Sequence, residues 1–201
     1  MPNLLLLVLL AYLIGSISFA VIVSRAFGLP DPRSYGSGNP GATNVLRSGR
    51  KAAAALTLLG DALKGAVAVL LAHWATARYG LPDFAPALAG LAAFVGHLWP
   101  VFFGFVGGKG VATALGVLLA LDLWLGLAVA ATWLAVFTVT RVSSLSALVA
   151  AVTAPAFAWW LNGNPVESVA MLALAVLILW RHRANIGRLW RGEEGAFRKR
   201  A

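Results

Sequence analysis

The chain has 201 residues, of which 60% are hydrophobic and only 11% are charged, and its mean hydropathy is +0.83. Soluble domains carry about 25% charged residues, so this composition indicates an integral membrane protein with no separate soluble domain. The absence of cysteine excludes disulfides, thiolate nucleophiles and cysteine-ligated metals. The net charge of +9 is spread over loops and a short tail, which argues against nucleic-acid binding.

Three apolar stretches in the first half of the chain are long enough to form transmembrane helices. They cover residues 1–24, 52–73 and 84–103, and about 20 apolar residues suffice to cross a bilayer core. The first stretch lacks a basic N-terminal region, so we expect a membrane span rather than a cleaved signal peptide. The basic loop of residues 25–51 should be cytoplasmic, which places the N-terminus outside.

The second half of the chain contains two further apolar stretches and a basic tail. Residues 145–161 and 166–180 predict two helices joined by a turn. The tail of residues 181–201 is rich in arginine and should be cytoplasmic. Two crossings before a cytoplasmic tail mean that the chain enters this part of the protein from the cytoplasmic side.

The number of membrane crossings in the apolar stretch of residues 111–139 follows from the side of the membrane on which its two ends lie. Lys109 and Arg141 flank it and should both be cytoplasmic, so the chain must cross an even number of times between them. Two short helices that meet near Asp122 satisfy this condition. We therefore predict an all-α integral membrane protein with about seven transmembrane helices in a single domain over residues 1–201. Its N-terminus is expected outside and its C-terminus in the cytoplasm.

Two ionisable residues interrupt the second apolar stretch. Asp61 and Lys64 are three positions apart, so they face the same way on a helix. Charged side chains inside a span usually face the interior of a helix bundle. Two interpretations remain open at this point, a purely structural ion pair and a pair that supports a functional site.

The first of two glycine-rich segments follows the first span. Gly36-Ser-Gly-Asn-Pro-Gly41 matches G-x-G-x-x-G, but no strand precedes it, so it is not a dinucleotide fingerprint. Gly-Asn-Pro-Gly is instead turn chemistry. The segment carries more hydrogen-bond donors than a loop that only caps the next helix would need, which favours ligand binding. These donors are Ser37, Asn39, Thr43, Asn44 and Arg47.

The second glycine-rich segment is Gly107-Gly-Lys-Gly110. It is not a Walker A loop, because Gly110 stands where Ser or Thr is required, so ATP hydrolysis is not implied. Three glycines around one lysine at a helix start still offer backbone N–H groups and a positive charge to a phosphate. The alternative is a cytoplasmic lysine in a flexible loop, which would not need glycine on both sides.

Two shorter segments near the C-terminus are weaker candidates. Ser143 and Ser144 could cap the helix that starts at Leu145. His182 and Asn185 are three residues apart and can share a helix face, although the segment around them could also be only a basic membrane anchor. The three histidines lack metal-ligand spacing, so no metal is expected.

Three motifs together resemble the bacterial acyl-phosphate:glycerol-3-phosphate acyltransferase family. They are Gly36-Ser-Gly-Asn-Pro-Gly-Ala-Thr-Asn44, the stretch from Gly96-His-Leu-Trp-Pro to Gly-Lys-Gly-Val-Ala-Thr113, and His182-Arg-Ala-Asn-Ile-Gly-Arg-Leu189. The resemblance runs along essentially the whole chain. It implies a seven-helix protein of the bacterial inner membrane with a cytoplasmic active site and no cofactor.

The resemblance also implies an activity. Members of this family move a fatty acyl group from a long-chain acyl phosphate to the 1-position of glycerol 3-phosphate, giving lysophosphatidic acid and inorganic phosphate. This is the first step of bacterial phospholipid synthesis, and neither acyl-CoA nor acyl carrier protein is the donor. The His-x-x-x-x-Asp signature of other glycerolipid acyltransferases is absent from the chain. We expect a monomer among membrane lipids.

The resemblance and the residue types together predict a set of site residues. Expected catalytic residues are Lys109, Arg47, Ser37 and His182. Expected substrate-binding residues are Gly38, Asn39, Thr43, Asn44, Gly107, Gly108, Gly110, Ser144 and Asn185, with Ser143 as the alternative to Ser144. The main competing function is a phosphate or organic-anion transporter, although no inverted repeat is visible in the sequence.

Overall fold

The computed structural model describes residues 2–195, and every regular element in that range is helical. This confirms the predicted all-α class. The chain divides into two compact units, Met1–Leu121 and Asp122–Ala201. Of the basic tail predicted over residues 181–201, the last six residues lie outside the described part of the chain.

The first unit is built around one long helix. Its helices are α1 (Pro2–Gly15), α2 (Phe19–Ala26), α3 (Ala42–Leu46), α4 (Lys51–Tyr79), α5 (Ala85–Leu98) and α6 (Val111–Leu121), with a 3₁₀ turn at Val101–Phe103. Each of the other five α-helices in this unit packs against α4. Helix α4 runs beyond the predicted end at residue 73, because its apolar pattern continues as far as Gly80, whose left-handed conformation (φ 64°) ends it.

The predicted first span differs from the structure in one respect. It breaks between Gly15 and Phe19, giving α1 and α2 instead of one continuous helix. The backbone of α5 comes so close at this point that a Cβ atom on Gly15 would collide with the backbone of Ala93. Small residues allow this kind of backbone approach between helices in lipid. A second such approach joins Gly116 on α6 to the backbone of Ala62 on α4.

The described residues of the second unit, 122–195, form three long helices and a short one. They are α7 (Leu123–Thr140), α8 (Ser143–Asn162), α9 (Pro165–Arg181) and α10 (Arg183–Trp190). Helix α8 packs against both α7 and α9. Asp122 caps α7 by accepting a 2.7 Å hydrogen bond from Leu125 N, which confirms the predicted helix break there. The predicted turn at residues 162–165 is also confirmed, since Asn164 caps α9 and Pro165 is its first residue.

Five helical segments among the described residues are long and apolar enough to cross a membrane, and α9 with α10 would make a sixth despite a 63° bend. The protein is therefore a multi-pass helical membrane protein. A seventh crossing would require α6, which has 11 residues and is about 16 Å long against a bilayer core of about 30 Å.

The two charged residues of α4 lie inside the first unit. Asp61 and Lys64 are 2% and 4% exposed, and Lys64 Nζ lies 2.8 Å from Asp61 Oδ1. The predicted inward orientation and pairing are confirmed. Paired charges are the usual form in which ionisable side chains are tolerated in a membrane span.

Candidate active site

The first glycine-rich loop is held together by the side chain of Asn44. Its Nδ2 donates to Pro32 O at 2.7 Å and to Tyr35 O at 3.0 Å, and its Oδ1 accepts from Ser37 N at 3.0 Å. Asn44 is 1% exposed. Both amide donors are thus used by the loop itself, so these contacts favour a role in shaping the loop over direct substrate contact. Its predicted role as a ligand stays a prediction.

The loop leaves several polar groups on its outer surface. Ser37, Gly38, Thr43 and Arg47 are exposed, and Asn39 is half-buried. Gly36 needs to be glycine, because its φ is 61° and a Cβ atom there would meet the Asn44 amide and lie 3.3 Å from Arg47 Cδ. The first loop is therefore a compact turn, and the aliphatic part of the Arg47 side chain lies close to Gly36.

An ion pair anchors this loop to the region before the second one. Arg33 donates to both carboxylate oxygens of Asp31, at 3.0 and 2.7 Å, and to Phe103 O at 3.2 Å. The hydrogen bond from Arg33 is the main reason why the pKa of Asp31 is below its ordinary value and, reciprocally, why that of Arg33 is above its own. This bidentate geometry fixes the guanidinium. The bond to Phe103 O then links the region of the first loop to the turn before the second.

The second glycine-rich loop is packed tightly against the end of α5. A Cβ atom on Gly107 would collide with the His97 and Leu98 carbonyl groups, and one on Gly108 would collide with the His97 ring. Gly110 adopts φ 82°, which side chains rarely tolerate. Lys109, between these glycines, is half-buried, whereas its glycine neighbours are buried. The glycines are thus required by the path of the backbone, and Lys109 is the most exposed residue of the four.

The two glycine-rich loops meet within the first unit. A Cβ atom placed on Gly108 would lie 2.9 Å from Pro40 O, so the two backbones are in contact there. The sequence predicted that these loops face the same side, and this contact shows that they are neighbours. Arg47 follows the first loop and Lys109 lies in the second, so each of the two segments carries a cation. Backbone N–H groups, hydroxyl groups and cations in such a region are suited to binding phosphate.

In the second unit, His182 occupies the bend between α9 and α10. It is 3% exposed, and its Nδ1 lies 2.8 Å from Ile178 O. A carbonyl oxygen only accepts, so this bond places the ring proton on Nδ1. Nε2 is then the nitrogen that can accept a proton in the neutral ring. Asn185 follows one turn later and is 5% exposed, so the predicted spacing does bring both to the buried side.

The side chain of Glu194 connects the two C-terminal motifs. Its Oε1 accepts from Ser144 Oγ at 2.6 Å and from Asn185 Nδ2, and its Oε2 accepts from Arg188 Nε at 2.6 Å. Ser144 does not cap α8, because the helix begins at Ser143 and the N-cap is Val142. The possibility that the serines serve as a cap is therefore wrong, and Ser144 points instead to the carboxylate.

Glu194 was missed in the sequence analysis. It is one of only two acidic residues in the basic tail, the other being Glu193. A pair of adjacent carboxylates among arginines, close to polar motif residues, is the signal that could have indicated it. Sequence alone does not distinguish it from Glu193, which pairs on the exposed surface with Arg191.

An apolar groove of about 410 Å³ lies in the first unit between α1 and the second half of α4. Its lining includes Leu7, Ala68, Trp74 and Tyr79. These α4 residues lie at the opposite end of the helix from Lys51, which follows the first glycine-rich loop. The groove is therefore not adjacent to the first glycine-rich loop.

Comparisons with known proteins agree over nearly the whole chain. A family model described as glycerol-3-phosphate acyltransferase matches residues 5–192. A protein of Thiobacillus denitrificans named glycerol-3-phosphate acyltransferase is 64% identical, covering 98% of both chains. A protein of Ralstonia pickettii with the same name is 62% identical, covering 92% of this chain and 90% of its own.

Two solved structures share the fold. They are crystal structures of PlsY, described as an integral membrane glycerol 3-phosphate acyltransferase, in a glycerol 3-phosphate form and a lysophosphatidic acid form. The first has a TM-score of 0.89 and 39% identity, covering 97% of this chain and 96% of its own. The second has a TM-score of 0.87 and 40% identity, covering 97% and 95%. The chain therefore belongs to the glycerol-3-phosphate acyltransferase family.

Proposed function

We propose that the chain transfers a fatty acyl group from acyl phosphate to the 1-hydroxyl of glycerol 3-phosphate, giving lysophosphatidic acid and inorganic phosphate. As a member of its family the chain is a glycerol-3-phosphate acyltransferase. The glycerol 3-phosphate and lysophosphatidic acid forms of the related PlsY structures support this acceptor and this product. The acyl phosphate donor and the residue roles are the parts that experiment has to test.

The contact between Gly108 and Pro40 O carries the proposal. Two glycine-rich loops, each with a cation in its segment, are neighbours at this contact, which supports a site that accepts two phosphorylated substrates. The two phosphates repel each other when they are brought together. Arg47 and Lys109, together with glycine N–H groups, would offset this repulsion and stabilise the charge that builds up on the leaving phosphate.

The reaction needs no covalent intermediate, because acyl phosphate is already activated. The glycerol 1-oxygen attacks the acyl carbon, the bond from that carbon to the phosphate oxygen breaks, and phosphate leaves with the electron pair. Holding the hydroxyl next to the carbonyl supplies much of the acceleration. We assign the hydroxyl proton to the leaving phosphate, with His182 as the competing acceptor through Nε2.

The remaining predicted residues would hold and orient the substrates. Ser37, Gly38, Asn39 and Thr43 lie on the first loop, and Gly107, Gly108 and Gly110 offer or shape the backbone of the second. Ser144 and Asn185 are the predicted substrate-binding residues of the second unit, and both donate to Glu194. Asn44 would act by shaping the first loop, since its amide bonds to the backbone there.

The proposal includes the membrane arrangement. We place seven crossings in the bacterial inner membrane, with α6 as a short crossing, the N-terminus outside and the active site and C-terminus at the cytoplasmic face. A family match that runs through both units supports one membrane domain, working as a monomer among lipids. Because the chain has no cysteine, single cysteines at Ser48 and Asn162 test the orientation. An impermeant maleimide applied to intact cells should label only the cysteine at position 162.

The activity test uses detergent-purified protein with labelled glycerol 3-phosphate. Palmitoyl phosphate and palmitoyl-CoA are supplied in parallel, and Lys109→Ala is compared with the wild type. Labelled lysophosphatidic acid from palmitoyl phosphate alone, lost in the variant, is the expected result. Absence of product from both donors with folded protein would overturn the proposal. Phosphate flux in liposomes would then test the anion transporter, which needs two compartments.

A further inference from the structure

A buried polar network lies beneath the second glycine-rich loop, and the proposed chemistry does not use it. Its centre is the Asp61–Lys64 pair of α4, at 2.8 Å. Lys64 Nζ also donates to Ile17 O at 2.7 Å, at the break between α1 and α2. The pair therefore connects α4 to the one interrupted part of the first span, where backbone carbonyl groups are open to hydrogen bonding.

The network continues from Asp61 to His97 at the end of α5. His97 Nδ1 lies 3.5 Å from Asp61 Oδ1 and 3.2 Å from Thr113 Oγ1 on α6. His97 is 7% exposed and Thr113 is fully buried. Their presence extends the network from α4 to the two helix ends that flank the second glycine-rich loop.

His97 also packs directly against the backbone of the second glycine-rich loop. Gly108 N donates to His97 O at 3.2 Å, and the ring Nε2 lies directly under Gly108, where a Cβ atom would collide with it. Rotation of the His97 ring would therefore press on the loop backbone next to Lys109. The hydrogen bond between Nδ1 and Thr113 Oγ1 opposes that rotation, and the Asp61 carboxylate, 3.5 Å from Nδ1, faces the same side of the ring. An oriented ring in a tightly packed site transmits its position to the atoms above it.

We propose that Asp61 is a positioning residue for acyl transfer, which acts through His97 to fix the Gly107–Gly110 loop in its phosphate-binding conformation. This inference rests on the proposed function, because it assumes that the loop binds a substrate phosphate. It explains why a membrane-spanning helix retains a carboxylate with two basic neighbours. It also assigns a role to His97 that is neither proton transfer nor contact with substrate.

The main test separates positioning from simple stabilisation. Asp61→Asn removes the charge that His97 and Lys64 face, and the double variant Asp61→Leu with Lys64→Met removes the ion pair as a unit. Replacing a buried pair by apolar residues often preserves stability, whereas removing one partner leaves an uncompensated charge. The double variant is therefore expected to fold with a melting temperature near that of the wild type, and it keeps the test valid if Asp61→Asn does not fold.

The measurements are melting temperature and the KM of each substrate, glycerol 3-phosphate and palmitoyl phosphate, in detergent. If Asp61 positions the loop, the KM of at least one substrate rises about tenfold in the double variant, because a small displacement of the loop weakens phosphate binding. His97→Asn, which shortens the side chain under Gly108, should show the same change. The double variant Asp61→Asn with Lys64→Met is a second test in which neither residue of the pair is charged.

Two results would overturn the inference while leaving the proposed function intact. One is a folded double variant whose KM values for both substrates match those of the wild type. The other is a variant that loses only melting temperature and active fraction, since that is the behaviour of a structural ion pair. A wild type without acyl transfer from palmitoyl phosphate would instead overturn the proposed function, and this inference with it.

Discussion

Ser144 Oγ donates a 2.6 Å hydrogen bond to Oε1 of Glu194, and this bond joins the first turn of α8 to the segment after α10. Asn185 and Arg188 donate to the same carboxylate. Burial alone would raise the pKa of Glu194, but these three hydrogen bonds outweigh it and hold the pKa below its ordinary value. The ionised carboxylate thus orients two predicted substrate ligands.

The first prediction concerns the charge of this carboxylate. Glu194→Gln keeps the size of the side chain but removes the charge that Arg188 faces and replaces one acceptor oxygen by a donor. We expect the rate of acyl transfer to fall by about 10- to 100-fold, because the loss of the charged acceptor disturbs its three hydrogen-bond donors together. Initial rates with palmitoyl phosphate measure this change.

Glu193→Gln is the matched control for this substitution. Glu193 pairs with Arg191 at 2.8 Å, but both side chains are more than half exposed, and exposed ion pairs contribute little. Its rate and melting temperature should match those of the wild type. Equal losses in the two variants would show that the tail acts through its overall charge and not through the network at Glu194.

The second prediction gives the pH dependence of stability at this position. The pKa of Glu194 is lower in the folded protein than its ordinary value of 4.5. The stabilisation is therefore complete above about pH 4.5 and disappears as the pH falls through the folded pKa. The melting-temperature difference between wild type and Glu194→Gln should shrink below pH 4.5, as measured by scanning fluorimetry in detergent. A difference that stays constant down to pH 3.5 would contradict this assignment.

The third prediction compares two neighbouring arginines of the first loop region. Arg47 and Arg50 are both exposed, but only Arg47 lies against the turn of the loop, next to Gly36. Arg47→Gln should lower kcat/KM by about 100-fold, because it removes a cation that offsets the charge of the two phosphates. Arg50→Gln should stay within about threefold of the wild type, since an exposed charge acts mainly through screened long-range attraction. Similar losses in both would indicate general attraction of anions.

The fourth prediction distinguishes a loop-shaping residue from a ligand. Asn44→Asp replaces the two donors to Pro32 O and Tyr35 O by an acceptor, which leaves buried carbonyl groups facing a carboxylate. Both melting temperature and activity should fall. Asn39→Ala, at a half-buried position of the same loop, should lower activity with little change in melting temperature if Asn39 binds substrate. An Asn44→Asp variant with unchanged melting temperature would contradict the loop-shaping role.

The parts of the fold that sequence could predict are those determined by local pattern. The helix break at Asp122 and the turn at residues 162–165 follow from capping and turn residues that act on their immediate neighbours. The pairing of Asp61 with Lys64 follows from helical spacing. The break after Gly15 was missed, because glycine and serine there are equally suited to a continuous helix packed closely against another.

The contacts of the site were less accessible to sequence reasoning. Ser144 and Glu194 are 50 positions apart, and no local pattern links a serine near a helix start to a carboxylate in a basic tail. The residue type of Asn44 suits a ligand, and that role stays a prediction, but its amide also donates to carbonyl groups whose positions depend on the folded loop. Residue type predicts which chemistry is available, whereas the partner is decided by tertiary structure.

The last prediction concerns the proton of the glycerol hydroxyl. His182→Asn retains a side-chain donor that can replace the bond from Nδ1 to Ile178 O, but it removes the basic nitrogen Nε2. If the leaving phosphate takes the proton, kcat should stay within about tenfold of the wild type, because no protein base is lost. The pH profile of kcat should also keep its acidic limb, which would then report the substrate phosphate.

His182→Ala is the variant to compare with His182→Asn, because it removes both the donor to Ile178 O and the basic nitrogen. Under phosphate-assisted transfer it should be less stable than His182→Asn while showing a similar acidic limb. A general base contributes about 10²- to 10⁴-fold, so a loss of that size in both variants, with disappearance of the acidic limb, would make His182 the base. The comparison works because the two variants differ in whether a side chain can donate to Ile178 O and agree in lacking the proton acceptor.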